Sequence, residues 1–348
     1  MAKRTQPFAG LEIEPSAIHA ASVSVNGSLS IRTAAVLPLD SGVVRDGEVT
    51  DVEALTAALK ELWASNKDLP KRVRIGIANQ KIVVRVLELP PIADAKELAA
   101  AVRFRAADEI PMPLDSAVLD FAPLDIVDTP DGPRQRVVLV AARRDMVDRV
   151  LVAARDAGLR VEGLDLAAFG MVRALASTEG GDPQDTVLYL GIGGLTNLAV
   201  AQGTSCTFTR VVGGGIEALA VELAERRGLT LEHARGWLGH VGLDDDLDAI
   251  DGDELIIEEA RGILIDGIRR IAGEVRNTVD YHLSQGAVGG GATRCVLTGA
   301  AAGVPGFAEA LSRDLALPVS VGVVAGAPAA LGAERFSVAA GLAVEEVV

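Results

Sequence analysis

Leu11-Glu12-Ile13-Glu14-Pro15-Ser16-Ala17-Ile18-His19-Ala20-Ala21-Ser22-Val23-Ser24-Val25, closed by Asn26-Gly27, reads as a short apolar strand, a tight turn and a second, alternating strand. About half the chain later the pattern returns as Leu190-Gly191-Ile192-Gly193-Gly194-Leu195-Thr196-Asn197-Leu198-Ala199-Val200, closed by Gln202-Gly203. Each copy turns through glycine into a third strand. The repetition predicts a chain built twice on one β-turn-β plan, with a small-residue turn at the head of each half.

Composition agrees with such a plan. A chain of 348 residues exceeds one typical domain, so two or more compact units are expected. Aromatic residues make up only 3%, which leaves Ala, Val, Leu and Ile to build the core of an α/β architecture. A formal net charge of −15, with no basic stripe, opposes binding to a phosphate backbone. Cys206 and Cys295 lie far apart in apolar runs and read as two buried small hydrophobes in a reducing compartment. Met1-Ala2-Lys3-Arg4 is basic but no apolar run follows, so no secretory signal is expected. Glycines break the uncharged stretch 186–209, and Pro318 and Pro328 break 315–333, so neither reads as a membrane span. A soluble protein is expected.

Along the chain, Thr50-Asp51-Val52-Glu53 reads as a capping box opening a helix that carries Val52, Leu55, Leu59, Leu62 and Trp63. Strands are expected over 71–78 and 82–89. Asp94 and Glu97 cap a second helix, with Leu98, Val102 and Phe104 as its apolar residues. Ile110-Pro111-Met112-Pro113-Leu114 cannot be regular helix, because each proline biases the residue before it away from α. Strands around 117–124 and 137–142, and a helix with Val147, Val150, Leu151 and Ala154, complete a β-α-β-β-α block inserted over roughly 82–160. The stretch 177–185 reads as a linker. In the second half, Gly213-Gly214-Gly215 leads into a helix ending at Gly228, and Thr230 caps a short helix through Leu238. A long amphipathic helix is expected from about Asp253 to Gln285, striped by Leu264, Ile268, Ile271, Val275 and Val279, with 286–291 as a flexible stop. Arg294 to Gly303 reads as a buried strand running into a small-residue turn.

Several familiar sites fail on spacing. Gly191-Ile192-Gly193-Gly194 lacks the third glycine of a dinucleotide fingerprint and precedes a strand rather than a helix. The acidic run from Asp244 to Glu254 has Ala249 where a calcium loop needs glycine and Leu255 where it needs a bidentate Glu, so it reads as a solvated loop. His233 and His240 have no Cys or carboxylate at ligand spacing, and no Gly-x-Ser-x-Gly elbow occurs.

Taken in order, the motifs resemble the PilM family of type IV pilus assembly, itself similar to FtsA. The resemblance rests on Gly10-Leu11-Glu12-Ile13-Glu14 with Ser16 and Ile18, Val44-Arg45-Asp46-Gly47-Glu48-Val49, and Leu87-Glu88-Leu89-Pro90. It continues through Glu109-Ile110-Pro111-Met112-Pro113-Leu114, Leu139-Val140-Ala141-Ala142-Arg143-Arg144 and Ala157-Gly158-Leu159-Arg160-Val161. Gly193-Gly194 with Thr196-Asn197-Leu198, and Leu297-Thr298-Gly299 near Pro305-Gly306, close the series. It implies an α/β, actin-like ATPase fold, a duplicated ribonuclease H-like fold with inserted subdomains 1C and 2B. Subdomain 1A would take 1–81 and 160–180, 1C 82–159, 2A 181–220 and 286–348, and 2B 221–285. It also implies a cytoplasmic adaptor, peripheral to the inner membrane, that binds the N-terminal tail of PilN in a groove between 1A and 1C. Leu98, Val102, Arg103, Ile110, Pro111 and Met112 are the groove candidates.

By the same resemblance, a nucleotide would contact Glu12, Glu14, Ser16, Gly191, Gly193, Gly194, Thr196, Gly214, Arg235, Leu238, Gly299 and Ala300. Many of these depart from the family pattern, whose first turn resembles Asp-Ile-Gly-Ser-Ser-Ser-Ile-Lys. Here Glu12 replaces the Asp, Glu14 the Gly, Pro15 a Ser and His19 the Lys. Gly191 stands for the acid of the second turn, and Arg235 and Leu238 for a Glu and a Lys that hold the nucleoside. An added charge about 5 Å from a phosphate costs roughly 3 kcal/mol at an effective dielectric near 20, or about two decades of affinity. ATP with Mg²⁺ bound at Glu12 or Glu14 is one alternative, but hydrolysis lacks a group to hold metal or orient water at Gly191. A sugar or acid kinase shares the fold and is the remaining alternative. The expectation is therefore a scaffold that docks partners without hydrolysing ATP.

Overall fold

The computed structural model describes residues 7–130, 132–176, 185–284 and 291–344. The opening repeat forms β1 (Ala9–Ile13), β2 (Ala17–Val25) and β3 (Leu29–Pro38), followed by a two-strand ribbon of β4 (Val44–Arg45) and β5 (Glu48–Val49). Helix α1 (Val52–Ser65) and strand β6 (Arg72–Ile77) come next. The helix buries Leu55, Leu59, Leu62 and Trp63, as its periodicity predicts. Its cap differs from the expectation. The Thr50 hydroxyl is spent on the preceding loop, donating to the Val43 carbonyl at 3.0 Å. Asp51 caps instead, accepting from the Ala54 N–H at 2.9 Å.

The inserted stretch contains β7 (Val83–Leu89), α2 (Ala95–Glu109), β8 (Ala117–Thr129), β9 (Gly132–Arg143) and α3 (Arg144–Asp156). Residues Asn79–Val152 make one compact unit and the rest of the chain another. In the smaller unit an antiparallel sheet ordered β7-β9-β8 packs Val83, Leu87, Leu89, Val137, Leu139 and Ala141 against Leu98, Val102, Ala106 and Ile110. Asp94 caps α2 by accepting from the Lys96 and Glu97 N–H groups, each at 2.9 Å. Phe104, unlike the apolar Leu98 and Val102 of the same helix, is 76% exposed. Six residues past Leu98 is 600° of helical rotation at about 100° per residue, which leaves Phe104 on the far side. The β8–β9 hairpin runs several residues beyond the expected strand ends on both sides. Charged outward residues hid that extension, and one pair, Asp125 with Arg136, bridges the strands at 2.6 Å.

The chain then makes β10 (Arg160–Leu166), α4 (Ala167–Ala176), β11 (Thr186–Ile192), β12 (Thr196–Gln202) and β13 (Ser205–Val212). Helices α5 (Ile216–Arg227), α6 (Leu231–Val241) and α7 (Glu254–Ser284) follow, then β14 (Arg294–Thr298), α8 (Phe307–Leu315), β15 (Val319–Val321) and α9 (Ser337–Leu342). The expected linker lies outside the described residues over 177–184, as do the end of the long helix at Gln285 and the glycine stop over 286–290. Cys295 is buried while Cys206 is only partly so, and burial pushes the Cys206 thiol up to about 12.

The larger unit carries the duplication as two five-stranded sheets, β3-β2-β1-β6-β10 and β13-β12-β11-β14-β15. In each, three antiparallel strands come first and two parallel strands complete the sheet. The outer face of the second sheet is covered by α5, α6, α7 and α8, with Leu223, Leu264, Val275 and Phe307 at its centre. A second core joins the sheets: Ala21 and Ile31 from the first and Val187, Tyr189 and Val296 from the second close over α4 and α9. These two helices cross through small residues, and a Cβ on Gly341 would lie 1.7 Å from the Gly170 carbonyl oxygen. Gly341→Ala is expected to cost about 2–3 kcal/mol, read as a lower midpoint in urea unfolding with an unchanged slope.

Candidate functional site

Both strand-linking turns meet at one place in the larger unit. The first is tied by the Glu14 N–H donating to the Ala17 carbonyl at 2.9 Å, with Pro15 and Ser16 at its tip. The second closes by the Gly193 N–H donating to the Leu195 carbonyl at 3.1 Å. Thr196 starts the next strand with its hydroxyl on the Gly214 carbonyl at 2.8 Å, which holds the glycine-rich entry to α5 beside the turn. The third turn follows β14. The Thr298 hydroxyl reaches the Glu334 carbonyl at 2.5 Å and the Ser337 hydroxyl at 2.8 Å, while Gly299 takes a positive φ of 87°.

Two spaces lie among these turns. The larger, about 490 Å³, is lined by Ser16, Pro38, Glu217, Arg235, Leu238 and Ala300, among others. The smaller, about 10 Å³, is bounded by Glu12, Glu14, Gly191, Asn197, Thr298 and Arg335, and admits at most one water. Arg235 does not offer a free guanidinium. Its Nε donates to Glu217 Oε2 at 2.9 Å and a second nitrogen engages Glu217 Oε1. Leu238 is buried and contributes only apolar surface.

The first turn reaches across to the second. The Gly194 N–H donates to Glu14 Oε1 at 3.0 Å. A Cβ on Gly193 would lie 1.8 Å from that same oxygen, so only glycine permits the approach. Burial lifts the Glu14 carboxyl above the usual carboxylate range; the Gly194 bond and the Arg335 guanidinium pull the other way. Glu12 has only burial and the Glu14 charge acting on it, and both raise its pKa well above the ordinary value. His19 stands opposite Glu12 in the β1–β2 register, 1% exposed, edge-on to Phe336 at 5.7 Å between ring centres. Neither ring nitrogen has a hydrogen-bond partner among the described residues, and burial, helped by Arg335, lowers its pKa to about 4.

Nine of the twelve residues expected at the nucleotide position line these two spaces, while Gly194, Thr196 and Gly214 line neither. Glu217, Arg335 and Asn197 join them without having been expected. Glu217 lies eighteen residues before Arg235 on the preceding helix, a spacing that no local rule connects. The groove candidates divide. Leu98, Val102 and Ile110 are buried in the small unit's own core, Met112 is half-buried, and Arg103 and Pro111 are exposed.

The type IV pilus assembly protein PilM family matches residues 10–325. This chain belongs to that family. It is 26% identical to a chain of a PilM-PilN type IV pilus biogenesis complex, with a TM-score of 0.81, covering 97% of this chain and 98% of that one. The ethanolamine utilization protein EutJ from Carboxydothermus hydrogenoformans is 16% identical with a TM-score of 0.56, over 97% and 89% of the two chains. MreB5 of Spiroplasma citri bound to ADP is 13% identical with a TM-score of 0.52, over 97% and 95%. The last two show a shared fold alone, and it is the actin-like fold expected of PilM proteins. No helix among the described residues is long and apolar enough to cross a membrane.

The buried titratable groups give this PilM-family cleft two pH dependences of opposite sign. His19 is neutral when folded but protonates below about 6.5 when unfolded. Its contribution is therefore complete above that pH and lost as pH falls to about 4, a change on the order of 3 kcal/mol. His19→Leu should flatten the fall in stability over this window, measured by urea unfolding at several pH values. Glu12 works the other way, because ionising it in the folded state is what costs stability. Glu12→Gln should raise Tm at pH 8 and give no gain below the ordinary glutamate pKa.

Proposed function

We propose that this chain is a cytoplasmic adaptor, peripheral to the inner membrane, in a type IV pilus or related fibre-assembly platform. It holds the N-terminal cytoplasmic tail of a PilN-like membrane protein. The likeness over nearly the whole chain to a PilM whose solved complex contains PilN carries this reading. The inserted unit, read as subdomain 1C, is the proposed docking element. Its buried Leu98, Val102 and Ile110 fix α2 on the sheet, which leaves Arg103, Phe104 and Pro111 for the partner. An aromatic ring that is 76% exposed is a strong candidate anchor, since such rings supply large contact area at small entropic cost. Subdomains 1A and 2A correspond to the two five-stranded sheets, and the α6–α7 region to 2B.

ATP hydrolysis is not part of this reading, because Gly191 supplies no acid to hold a metal and Glu14 crowds the turn. The 490 Å³ space favours one other reading, in which a nucleotide still binds, and titration calorimetry with Mg-ATP separates the two. For the adaptor itself, a peptide of the matching PilN tail should bind the full chain. Phe104→Ala should weaken that binding about tenfold or more, with an unchanged circular dichroism spectrum. Absence of any binding across a range of salt concentrations would remove the reading.

A further inference from the structure

Glu14 is an anomaly if it is regarded only as a charge that repels phosphate. Its carboxyl is turned toward the second turn, and Oε1 accepts from the Gly194 backbone N–H at 3.0 Å, linking residues 180 apart. Three further contacts show that the fit is built. A Cβ on Gly193 would overlap Oε1 at 1.8 Å, and one on Gly194 would lie 2.3 Å from Pro15 Cδ. A Cβ on Gly215 would lie 2.2 Å from the Gly193 carbonyl oxygen, so the entry to α5 is pressed on the same turn. The free volume left beside the carboxyl is about 10 Å³, too little for a phosphoryl group.

We propose that Glu14 is a tethered ligand: its carboxyl oxygen occupies the backbone N–H that an external anion would need, and clasps the two halves of the larger unit without any nucleotide. The tether makes the competition intramolecular, with an effective concentration of about millimolar or more. An external anion must displace a group already in place, in a space of about 10 Å³ that Glu12 and Glu14 share with Arg335. Pro15, next in sequence, limits the backbone freedom that swinging Glu14 aside would require. The arrangement that a bound ligand would otherwise select is then permanent. Any partner meets one form of the cleft, and nucleotide level does not gate it.

Amide hydrogen exchange over residues 190–197 of the full chain tests this. In the parent protein the Gly194 amide should be protected without nucleotide, and millimolar Mg-ATP should not change its rate. Glu14→Ala should exchange there about tenfold faster or more, the scale of one lost hydrogen bond to a charged acceptor. Glu14→Gln keeps an accepting oxygen and should retain most of the protection. Slower exchange in the parent on adding Mg-ATP overturns the proposal, as does a Glu14→Ala variant that exchanges at the parental rate or a Gln variant as fast as the Ala one. If the Ala variant does not fold, the parental response to Mg-ATP and the Gln variant still decide. Failure here leaves the partner reading standing, because that reading rests on the likeness to a PilM solved with PilN and not on Glu14.

Discussion

The hydrogen bond from the Gly194 N–H to Glu14 sets what the rest of the cleft can do. It lies where the heads of two repeated strand units approach each other, and it needs a carboxyl on one turn and a bare backbone on the other. With Glu14 so placed, a side chain on Gly193 would overlap its carboxyl, one on Gly194 would overlap the Pro15 ring, and the space beside Glu12 holds at most one water. The neighbouring cavity stays open and shares Gly193 with the smaller space, but the amide that an anionic tail would use is already bonded to Glu14. At its other end the Arg235–Glu217 pair spends its charge internally. A basic side chain near a cavity usually announces an anion site; here its acceptors are already supplied by the protein.

The same crowding explains the unusual state of the titratable groups. Burial and the neighbouring Glu14 charge both act against ionising Glu12, so its pKa is raised well above the ordinary value. His19 is the mirror case, a base kept neutral because its ring is sealed between strands and set against Phe336. Arg335 acts on both sides, lowering the Glu14 pKa and further disfavouring a charged His19. A site that evolved to receive a polyanion would be expected to offer fixed positive charge and open backbone N–H groups. This one sets two acids, one neutral base and an amide already bonded around the guanidinium of Arg335.

Much of the architecture was legible in the residues. The repeated β-turn-β pattern, the caps at Asp94 and Thr230, and Gly228 ending α5 all express local rules that tertiary contacts did not overturn. The β-α-β-β-α order of β7, α2, β8, β9 and α3 was visible because prolines and turn residues punctuate it. What escaped were features decided across long separations. Glu14 reads locally as an intruder in a phosphate turn, and only the folded chain shows its partner 180 residues away. Thr50 looked like a cap because a capping box is a four-residue pattern, yet the loop before it claimed the hydroxyl. Phe104 is apolar by type, yet helical angle carries it away from Leu98 and Val102 into solvent. The short α9 gave no amphipathic signal, since its small residues are buried on all sides.

That last helix bears on why the fold can forgo a ligand. In a cleft formed by two separate lobes, a bound molecule often supplies the contacts that hold them together. Here α4 and α9 are packed between the sheets, and strands of both contribute to one apolar cluster that includes Tyr189, Phe336, Met171 and Leu342. Burying a side chain of that size is worth about 1.5–3 kcal/mol, so even a few of them outweigh a single hydrogen bond. Cohesion of the halves therefore comes from the hydrophobic wedge, while the Glu14 contact adds direction, setting how the two turns face one another. A scaffold joined in this way can change its turn residues without coming apart. The departures at Glu14 and Pro15 follow that logic, whereas His19, edge-on to Phe336, borders the wedge itself.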